Sequence, residues 1–501
     1  MTLIESRNAG IIIDCGILFP RDGYLGVRHL HPNFYPLLTD KFDSLFLTHS
    51  HEDHIGAVSQ LLKFRPNLKI YCSRFCFEIL KSKLKKDIEN FQILNHKDSV
   101  EIDGLKITAL GIDHSTPQTF AFYIEKDNAG AFFSSDFKIN PSSRLAIEAL
   151  KELRPNFESK RILCGFLDST SIQDPGHTLT EQEVSIDLKE VLKAPKRITV
   201  TCFASNVQRM KSIIETAKEL GKNVYLYGRS IHFYFSSAVS SGLIKNSSHV
   251  FDIDQYSKGD QYPIIIVSGC QGDYRSTLTN LSKGQGGHYQ VSRDDLIVFS
   301  SSVIPGNAKQ LQGLYNNFIE LGADIITNKD FKIHCSGHPG QKDIAFLSSL
   351  IPFTHYHPIH GESFLLKKHY HFSRNELGLN SYLLKDFQRV TIKRDYSHKI
   401  TDELDPNSNP LIIRADNGSE ITKDVIKMRR KLATNGLAIV DTLRSQIFEY
   451  ATNISEKSLT QIEKKTFQFL RKNSPSKEEL RIYTRSLFAK EVREKIIVIV
   501  H

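Results

Sequence analysis

The sequence has no run of 18 or more apolar residues, and it does not begin with a basic segment followed by a short apolar stretch and a small-residue cleavage site. It therefore lacks what is typical of a membrane-spanning helix or a secretion signal. The seven cysteines form no CxxC pair, and several lie in apolar, strand-like runs where a free thiol behaves as a small hydrophobic side chain. We therefore expect a soluble protein in a reducing compartment, the cytoplasm, with no membrane partner.

The remaining composition is ordinary for a globular protein, with 40% hydrophobic and 24% charged residues. A chain of 501 residues is too long for one hydrophobic core, so two or three domains are expected. The formal net charge is +9. This value is compatible with a polyanionic partner and equally with a solvated basic surface that binds nothing.

One short stretch is rich in metal-binding side chains. Four possible ligands lie within six residues: His49, His51, Asp53 and His54. Neutral imidazole and carboxylate together suit Zn²⁺, with Mn²⁺ as the second choice. Residues 44–47 predict a strand and residues 55–62 a helix, which places the ligands on the loop between them. The alternative is a histidine-rich surface loop without a ligand, which this tight spacing disfavours.

Further candidates follow apolar, strand-like runs elsewhere in the chain: Asp14, His114, Asp136, His338 and His360. Asp14 is either a turn cap or a residue that orients a metal-bound histidine. Asp136 is of the type that bridges two metals, because one carboxylate can bind with both oxygens. His338 follows residues 331–334, which predict a strand, and could act as a ligand or a proton carrier.

Seven of these donors suit two metal ions that share one carboxylate. The first set is His49, His51 and His114, the second is Asp53, His54 and His360, and the shared residue is Asp136. Two ions generate hydroxide near neutral pH and hold the attacking and leaving oxygens of an in-line displacement. The donor set therefore predicts a hydrolase of phosphodiesters.

From about residue 180 the sequence alternates between strands and helices, which predicts a parallel sheet with crossover helices. Small hydrogen-bonding residues follow four of the strands, at residues 204–206, 228–230, 268–272 and 300–302. Such residues at helix N-termini can bind phosphate, or they can simply form turns and helix caps. Beyond residue 400 the chain becomes polar, with a predicted linker over residues 405–410 and a basic helix that contains residues 427–431.

The motifs resemble a known family. The series Asp14, His49-x-His51-x-Asp53-His54, His114 and Asp136 resembles the metallo-β-lactamase superfamily. Asp168-Ser-Thr, His338 in Cys-Ser-Gly-His-Pro and His360 in Ile-His-Gly-Glu resemble the three further motifs of its β-CASP nucleic-acid-processing branch. Within that branch the chain is most similar to the ribonuclease J family, through residues 13–20, 203–206, 228–230, 269–272, 301–307 and 334–338.

The resemblance implies an α/β fold. We expect a metallo-β-lactamase αββα sandwich interrupted by a β-CASP α/β insertion with a parallel sheet, plus a small C-terminal α+β domain. The expected boundaries are residues 1–180 and 332–447 for the two parts of the lactamase domain, 181–331 for the insertion and 448–501 for the last domain. Relatives usually begin with one more edge strand before the segment that matches the first four residues.

The resemblance also implies an activity. We expect the protein to be a metal-dependent ribonuclease with 5′-to-3′ exonuclease and endonuclease activity in RNA maturation and decay. The expected cofactor is two Zn²⁺ per chain, with Mn²⁺ or Mg²⁺ as alternatives. The expected partner is single-stranded RNA with a 5′-monophosphate, and the expected assembly is a homodimer or homotetramer. The alternative is a non-catalytic paralogue that serves as an RNA-binding or scaffold subunit.

Residue roles follow from the same resemblance. The seven donors become the metal ligands, and Asp14 becomes a partner of a metal-bound histidine. His338, Asp168 and Asp53 become catalytic, with His338 as a general acid or transition-state stabiliser and Asp168 as the residue that orients a metal-bound histidine. The RNA phosphates are expected to bind Arg229, Ser230, Ser301, Ser302, Ser336 and Gly337.

Overall fold

A computed structural model of the chain describes all residues except 8, 21–23, 38–40, 86–88, 246, 288, 305, 394, 396, 403–410, 416–418, 451, 453 and 493–495. The chain forms two compact units, Met1–Gly16 with Phe34–Pro410 and Ile17–Asn33 with Leu411–His501. Within the described residues, no helix combines the length and the apolar character that a bilayer crossing requires.

The strands are β1 Thr2–Glu5, β2 Gly10–Ile13, β3 Val27–Pro32, β4 Phe42–Phe46, β5 Lys69–Cys72, β6 Phe91–Ile93, β7 Ser99–Ile102, β8 Leu105–Gly111, β9 Phe120–Lys126, β10 Ala129–Phe133, β11 Ile162–Asp168, β12 Ile198–Thr201, β13 Val224–Tyr227, β14 Val250–Asp252, β15 Ile264–Val267, β16 Leu296–Phe299, β17 Asp324–Thr327, β18 His355–Ile359, β19 Gln388–Ile392, β20 His398–Asp402, β21 Leu411–Ala415, β22 Leu437–Asp441, β23 Gln446–Tyr450 and β24 Ile497–Val500. The α-helices are α1 Glu52–Ile55, α2 Val58–Phe64, α3 Arg74–Leu84, α4 Arg144–Glu158, α5 Glu181–Leu192, α6 Val207–Glu219, α7 Arg229–Ser240, α8 Thr277–Ser282, α9 Ala308–Glu320, α10 Gln341–Leu350, α11 Ser363–Asn375, α12 Lys423–Asn435, α13 Glu456–Asn473 and α14 Lys477–Val492.

Two sheets form a sandwich in the first unit. One has the strand order β1-β2-β4-β5-β6 and the other β18-β11-β10-β9-β8-β7. Side chains from both sheets, such as Ile13 and Phe122, share one buried core. On its other face the six-stranded sheet packs against α4 and α10 through Leu150 and Leu347. With both faces covered, β9 and β11 are almost continuously apolar rather than alternating.

Helices form the outer layer of the sandwich beside the five-stranded sheet, because they connect its parallel strands. Strands β4, β5 and β6 pair in parallel, and parallel neighbours need a crossover segment, here α1 with α2 and then α3. Because the inner face holds the shared core, these helices lie on the outer face. The αββα arrangement of the predicted fold class is confirmed.

The inserted segment forms a separate six-stranded sheet with the order β14-β13-β15-β12-β16-β17. All of its pairings are parallel, as predicted. Four-residue strands such as β12, β15 and β16 are completely buried, because helices cover both faces of a parallel sheet. All the carboxyl ends of these strands therefore lie along one edge of the sheet.

Two local predictions are wrong. Residues 331–334 form an irregular segment rather than a strand, because the carbonyl oxygen of Ile333 accepts hydrogen bonds from Arg209 and Ser300 side chains at 2.6 Å instead of pairing with a strand.

The helix predicted over residues 55–62 is divided and begins earlier, so that Asp53 and His54 lie on the single turn α1 rather than on a loop. The backbone of Cys15 causes the division. Its N–H donates to the carbonyl of His54 at 2.7 Å, and its carbonyl accepts from the N–H of Ala57 at 2.9 Å.

The second unit has two small sheets. Strand β21 pairs with β3 in antiparallel fashion, and β22 lies between β23 and β24. Helices α13 and α14 pack on the three-stranded sheet around Phe467, Phe488 and Val498. The predicted domain boundary at residue 447 falls within β23 and stays a prediction. The linker predicted over residues 405–410 lies outside the described residues.

Candidate metal centre

The candidate ligands lie on loops that leave strand ends of both sandwich sheets. They follow β4 in one sheet and β8, β10 and β18 in the other. A backbone hydrogen bond of 2.9 Å from Phe120, the first residue of β9, to the carbonyl of Thr48 joins one sheet to the loop that leaves the other. A second, of 2.7 Å, joins Lys138 to the carbonyl of Asp113. The sequence therefore distributes the ligands widely, and the sandwich collects them at one edge.

The structure brings the first predicted set together. His49 Nε2 and His114 Nε2 each lie 3.1 Å from His51 Nδ1. Asp136 Oδ2 lies 3.6 Å from the same nitrogen of His49 and 3.9 Å from that of His114. Ligand atoms at about 2.0–2.2 Å from a tetrahedral zinc ion lie roughly 3.3–3.6 Å apart. These four side chains therefore have the spacing of a single ion's ligands.

The second predicted set is equally close and shares Asp136 with the first. His54 Nε2 lies 3.2 Å from Asp136 Oδ2 and 3.7 Å from Asp53 Oδ2. His360 Nε2 lies 3.4 Å from Asp53 Oδ2 and 3.5 Å from Asp136 Oδ1. All seven donors predicted from the sequence thus fall into two groups that meet at Asp136.

Asp136 is the most unusual member of the centre. Its side chain is 2% exposed, yet neither carboxylate oxygen has a hydrogen-bond partner, and the same is true of His54 Nε2. Imidazole nitrogens lie 3.2–3.9 Å from the Asp136 oxygens, but a buried carboxylate without hydrogen bonds still costs several kcal/mol. These orphaned atoms face the other donors, and a divalent cation satisfies all of them at once. The residues present therefore fit a metal.

Hydrogen bonds on the far ring nitrogens orient two of the histidines. Asp14 Oδ2 lies 2.7 Å from His54 Nδ1, and the Gly337 carbonyl lies 2.7 Å from His114 Nδ1. Both acceptors require the proton on Nδ1, which leaves Nε2 with a free lone pair that faces the centre. The sequence left Asp14 open as a turn cap or as a partner of a histidine, and in the structure it contacts a histidine, His54. Its carboxylate also accepts from the backbone and hydroxyl of Thr48, both at 2.8 Å.

The electrostatics of the site put His49, His51, His114 and Asp53 in their metal-binding protonation states. Burial lowers the pKa of His49 and His114 well below the usual value, and neighbouring imidazoles lower it further. Burial also lowers the pKa of His51, to about 4, against the opposing effect of Asp53. Burial raises the pKa of Asp53, but His54 and His360 outweigh it and the pKa falls well below its usual range. Neutral imidazoles and ionised carboxylates are the forms that bind metals.

The pKa of His54 and of His360 is shifted the other way. Burial lowers the pKa of both, but Asp136 and the other nearby carboxylates together raise it more, so it lies well above the usual value. Each of these two imidazoles therefore binds a metal with release of a proton.

His338 and His360 share a carboxylate partner. His338 Nδ1 lies 2.8 Å and His360 Nδ1 3.4 Å from the Asp168 carboxylate. Asp168 also accepts from the N–H and hydroxyl of Thr170 at 2.9 and 2.7 Å. Burial lowers the pKa of His338, but Asp168 and Asp136 raise it more, so the net shift is upward. The His338 side chain is 24% exposed.

A buried ionic network, which the sequence patterns did not predict, supports the loop that carries His338. Arg209, from α6 of the inserted domain, is fully buried. It pairs with Glu181 at 2.9 Å and donates to the Ile333 carbonyl. Glu181 accepts from Cys335 Sγ at 3.2 Å, and Lys138 donates to the same sulfur at 3.2 Å. The inserted domain therefore fixes the segment three residues before His338.

Two glycines close to the ligands were also beyond sequence reasoning. A Cβ on Gly16 would overlap the carbonyl of Asp53, and one on Gly337 would lie 2.6 Å from the His114 ring. Both positions therefore need the absence of a side chain. Gly337 was predicted to contact an RNA phosphate. In the structure its carbonyl contacts the candidate metal ligand His114.

The predicted phosphate contacts fall into two places. Ser336 lies beside His338, and its hydroxyl accepts from the His338 N–H at 3.0 Å. Arg229 and Ser230 begin α7, and Ser301 and Ser302 follow β16. Strands β13 and β16, which precede these two pairs, are three positions apart in the sheet, about 14 Å at ordinary strand spacing. Among the described residues, no hydrogen bond or ion pair joins Arg229 or Ser230 to the metal-side loop.

Two family models match the chain. The beta-lactamase superfamily domain matches residues 10–199, and the ribonuclease J beta-CASP domain matches residues 195–318. A solved structure from Enterococcus faecalis, titled as a protein of unknown function, covers 73% of this chain and 91% of its own with a TM-score of 0.52 at 15% identity, which indicates a shared fold. The fold and the donor cluster define a metallo-β-lactamase-fold protein with a β-CASP insertion, and this fold implies divalent metal binding.

Curated relatives narrow the class. Ribonuclease J 1 of Streptococcus pyogenes is 27% identical over 87% of this chain and 79% of its own length. Ribonuclease J of Mycoplasma genitalium is 29% identical over 87% and 78%, and that of Mycobacterium tuberculosis is 31% identical over 72% and 66%. The chain belongs to the ribonuclease J family.

Proposed function

We propose that this chain is a metal-dependent ribonuclease that hydrolyses RNA phosphodiester bonds, by 5′-to-3′ exonuclease and endonuclease cleavage, in RNA maturation and decay. Membership of the ribonuclease J family supports the substrate class. The observation that carries the chemistry is the buried Asp136 carboxylate with two unpaired oxygens between two sets of donors. No observation favours the non-catalytic alternative, which would not need a complete donor set.

The residues suit two Zn²⁺ ions, with Mn²⁺ or Mg²⁺ as alternatives. His49, His51 and His114 would hold one ion, Asp53, His54 and His360 the other, and Asp136 would contact both. When bound, a pair of such ions lowers the pKa of water and neutralises charge on the attacking and leaving oxygens of a phosphodiester. The predominance of imidazole among the ligands favours zinc over magnesium.

The chain's own groups would position the substrate and move a proton. Asp168 fixes the His338 ring through Nδ1, so Nε2 is free to donate to a phosphate oxygen or to the leaving oxygen. A positioned histidine of this kind contributes about 10²–10⁴-fold to a rate. Ser336 lies next to it and can donate its hydroxyl to a neighbouring phosphate oxygen.

The preference for a 5′-monophosphate rests on the polar loops of the inserted sheet. Arg229 and Ser230 lie at the N-terminus of the twelve-residue helix α7, where backbone N–H groups and the helix dipole favour an anion. Ser301 and Ser302 lie along the same sheet edge. We assign the terminal phosphate to this edge and the scissile phosphate to the metal centre.

Cleavage of defined RNA tests the proposal. A single-stranded RNA with a 5′-monophosphate and one with a 5′-triphosphate are incubated with the protein and Zn²⁺, Mn²⁺ or Mg²⁺. We expect shortening of the monophosphate RNA and abolition of that activity in Asp53→Ala and His54→Ala. His371→Ala, which changes an exposed histidine on α11, is the matched control and should cleave like the wild type. Intact RNA under every metal condition would contradict the proposal.

We also propose a cytoplasmic location and a homodimeric or homotetrameric assembly. The seven cysteines are all unpaired and buried, as suits a reducing compartment. The mass of the protein in solution, from light scattering after gel filtration, tests the assembly. A monomer across the micromolar range would contradict it.

A further inference from the structure

The positive charge of the chain is concentrated at its C-terminal end. Residues 411–501 hold 18 Lys and Arg against 11 Asp and Glu, so this fifth of the chain carries +7 of the formal net charge of +9. Residues 1–410 are therefore close to neutral. A basic module on an otherwise neutral chain is the electrostatic footprint of a polyanionic partner.

Part of this charge surrounds a groove in the second unit. The groove has a volume of about 730 Å³ and lies between α13 and the turn that joins β22 to β23. Lys464, Arg471 and Lys472 line it together with Gln468, above the buried ring of Phe467. A concave basic surface with an apolar floor differs from the convex, solvated helix face on which most surface cations lie.

The spacing of these side chains follows from the helix. Lys464, Gln468 and Lys472 are four residues apart, so they lie on one face at steps of about 6 Å along the axis. Arg471 is seven residues after Lys464 and shares that face. The result is a row of donors along the groove.

The three cations are available for a ligand. Among the described residues, none of them forms an ion pair, whereas Arg444 and Arg481 in the same unit pair with Asp441 and Glu478. The lining contains one carboxylate, Glu463, and its Oε1 accepts from the N–H of Ile447 at 2.7 Å. That hydrogen bond anchors β23 to α13, so Glu463 belongs to the framework of the unit.

We propose that this groove binds the phosphodiester backbone of single-stranded RNA. Lysines in a row supply point charges, and the arginine fork can bind a phosphate with two hydrogen bonds. Three cations and the neutral donors Ser445, Thr460 and Gln468 line the groove against one carboxylate that is already engaged, which suits a repeating anion better than a protein surface of mixed polarity. The choice of RNA rests on the proposed function, and the groove shares no residue with the candidate metal centre.

Binding is measured on the full chain without divalent metal, so that cleavage plays no part. The probe is a fluorescent 30-nucleotide single-stranded RNA in EDTA, and its anisotropy gives the affinity between 50 and 300 mM salt. In the triple variant Lys464→Gln, Arg471→Gln, Lys472→Gln we expect binding about tenfold to a hundredfold weaker. The slope of log affinity against log salt should fall by about 2, because each phosphate contact on a single strand contributes roughly 0.7.

A triple control removes the same charge elsewhere. Lys151, Lys218 and Lys258 are exposed in the first unit, and their replacement by Gln should leave the affinity within about twofold of the wild type. Equal weakening in both triple variants would overturn the proposal, as would an unchanged affinity and salt slope in the groove variant. The single variants Lys464→Gln and Arg471→Gln, each about threefold to tenfold weaker, keep the test valid if the triple variant unfolds. Failure of RNA cleavage by the wild type with metal would instead contradict the proposed function and leave this binding result intact.

Discussion

The carboxylate of Asp14 lies 2.7 Å from Nδ1 of His54, on the side of the ring opposite the candidate metal centre. Because Asp14 also holds the backbone and the hydroxyl of Thr48, it fixes the ring relative to the loop that carries His49 and His51. The contact connects the end of a fully buried strand, β2, to a ligand 40 residues later. It sets the tautomer of His54 and thereby directs Nε2 to Asp136.

Replacing Asp14 with Asn should weaken metal binding by about 10–100-fold, since partners of this kind contribute that much to the affinity of a ligand set. The measurement is titration of the metal-free protein by calorimetry. Asp127→Asn is the control because Asp127 lies in an exposed turn with a φ of 50° that Asn tolerates. Unchanged metal affinity in Asp14→Asn would show that Asp14 does not support metal binding through His54.

Gly16→Ala should impair both folding and activity. The new methyl group would meet the Asp53 carbonyl, and the backbone of the ligand turn would have to move. Overpacking of this kind costs about 1–3 kcal/mol of unfolding free energy. Gly176 has no atom within 4 Å of the position of a Cβ, so Gly176→Ala is the matched control. Urea midpoints compare the two variants, and equal midpoints would show that the turn tolerates the methyl group.

The Glu181–Arg209 pair should make stability depend on pH at the acidic end. Burial raises the pKa of Glu181, but Arg209 and Lys138 lower it more, to about 2 against an ordinary value of 4.5. Because the folded pKa is depressed, the stabilisation is complete above about pH 5 and is lost as the pH falls from 4.5 towards 2. The shift corresponds to about 3 kcal/mol. Glu181→Gln should therefore be less stable at pH 7, and its difference from the wild type should narrow by pH 3.

Urea denaturation at pH 7, 5 and 3 measures this narrowing. Glu190, exposed on α5 and paired with Lys193, supplies the control variant Glu190→Gln, which should stay close to the wild type because exposed pairs contribute little. A constant difference between Glu181→Gln and the wild type across the three pH values would contradict the assignment.

His338→Ala should lower the rate of RNA cleavage by about 10²–10⁴-fold without loss of bound metal. The ring contacts Asp168 but belongs to neither set of three ligands around Asp136. Cleavage rates and metal content of the same preparation separate the two roles. Loss of metal in step with loss of activity would instead make His338 a ligand.

Contiguous residues and strand-end signals were sufficient to predict much of the molecule. The four donors within residues 49–54 identify a metal site without any tertiary information. His114, Asp136 and His360 come shortly after the ends of largely buried strands, and the loop after each strand could be predicted from the sequence. The alternation after residue 180 likewise predicted a parallel sheet.

The remainder depends on contacts between distant segments. Arg209 lies 126 residues before Cys335, and nothing near either one indicates that they meet. The strand predicted over residues 331–334 is wrong for the same reason. Its apolar and polar residues alternate, but side chains of the inserted domain donate hydrogen bonds to the Ile333 carbonyl, which a paired strand would need for its neighbour. The edge strands β6, β14 and β17 are three or four residues long and only partly buried, so they lack the continuous apolar run by which the equally short buried strands β12, β15 and β16 were found.

The most direct test of the central claim is the metal content of the purified full-length chain, measured by mass spectrometry after growth with Zn²⁺ and Mn²⁺. We expect two equivalents in the wild type. In Asp136→Ala we expect one or none, because this residue is the only donor common to both groups of the centre, with Asp127→Ala retaining two. A single equivalent in the wild type, or two in Asp136→Ala, would contradict a centre in which Asp136 joins two ions.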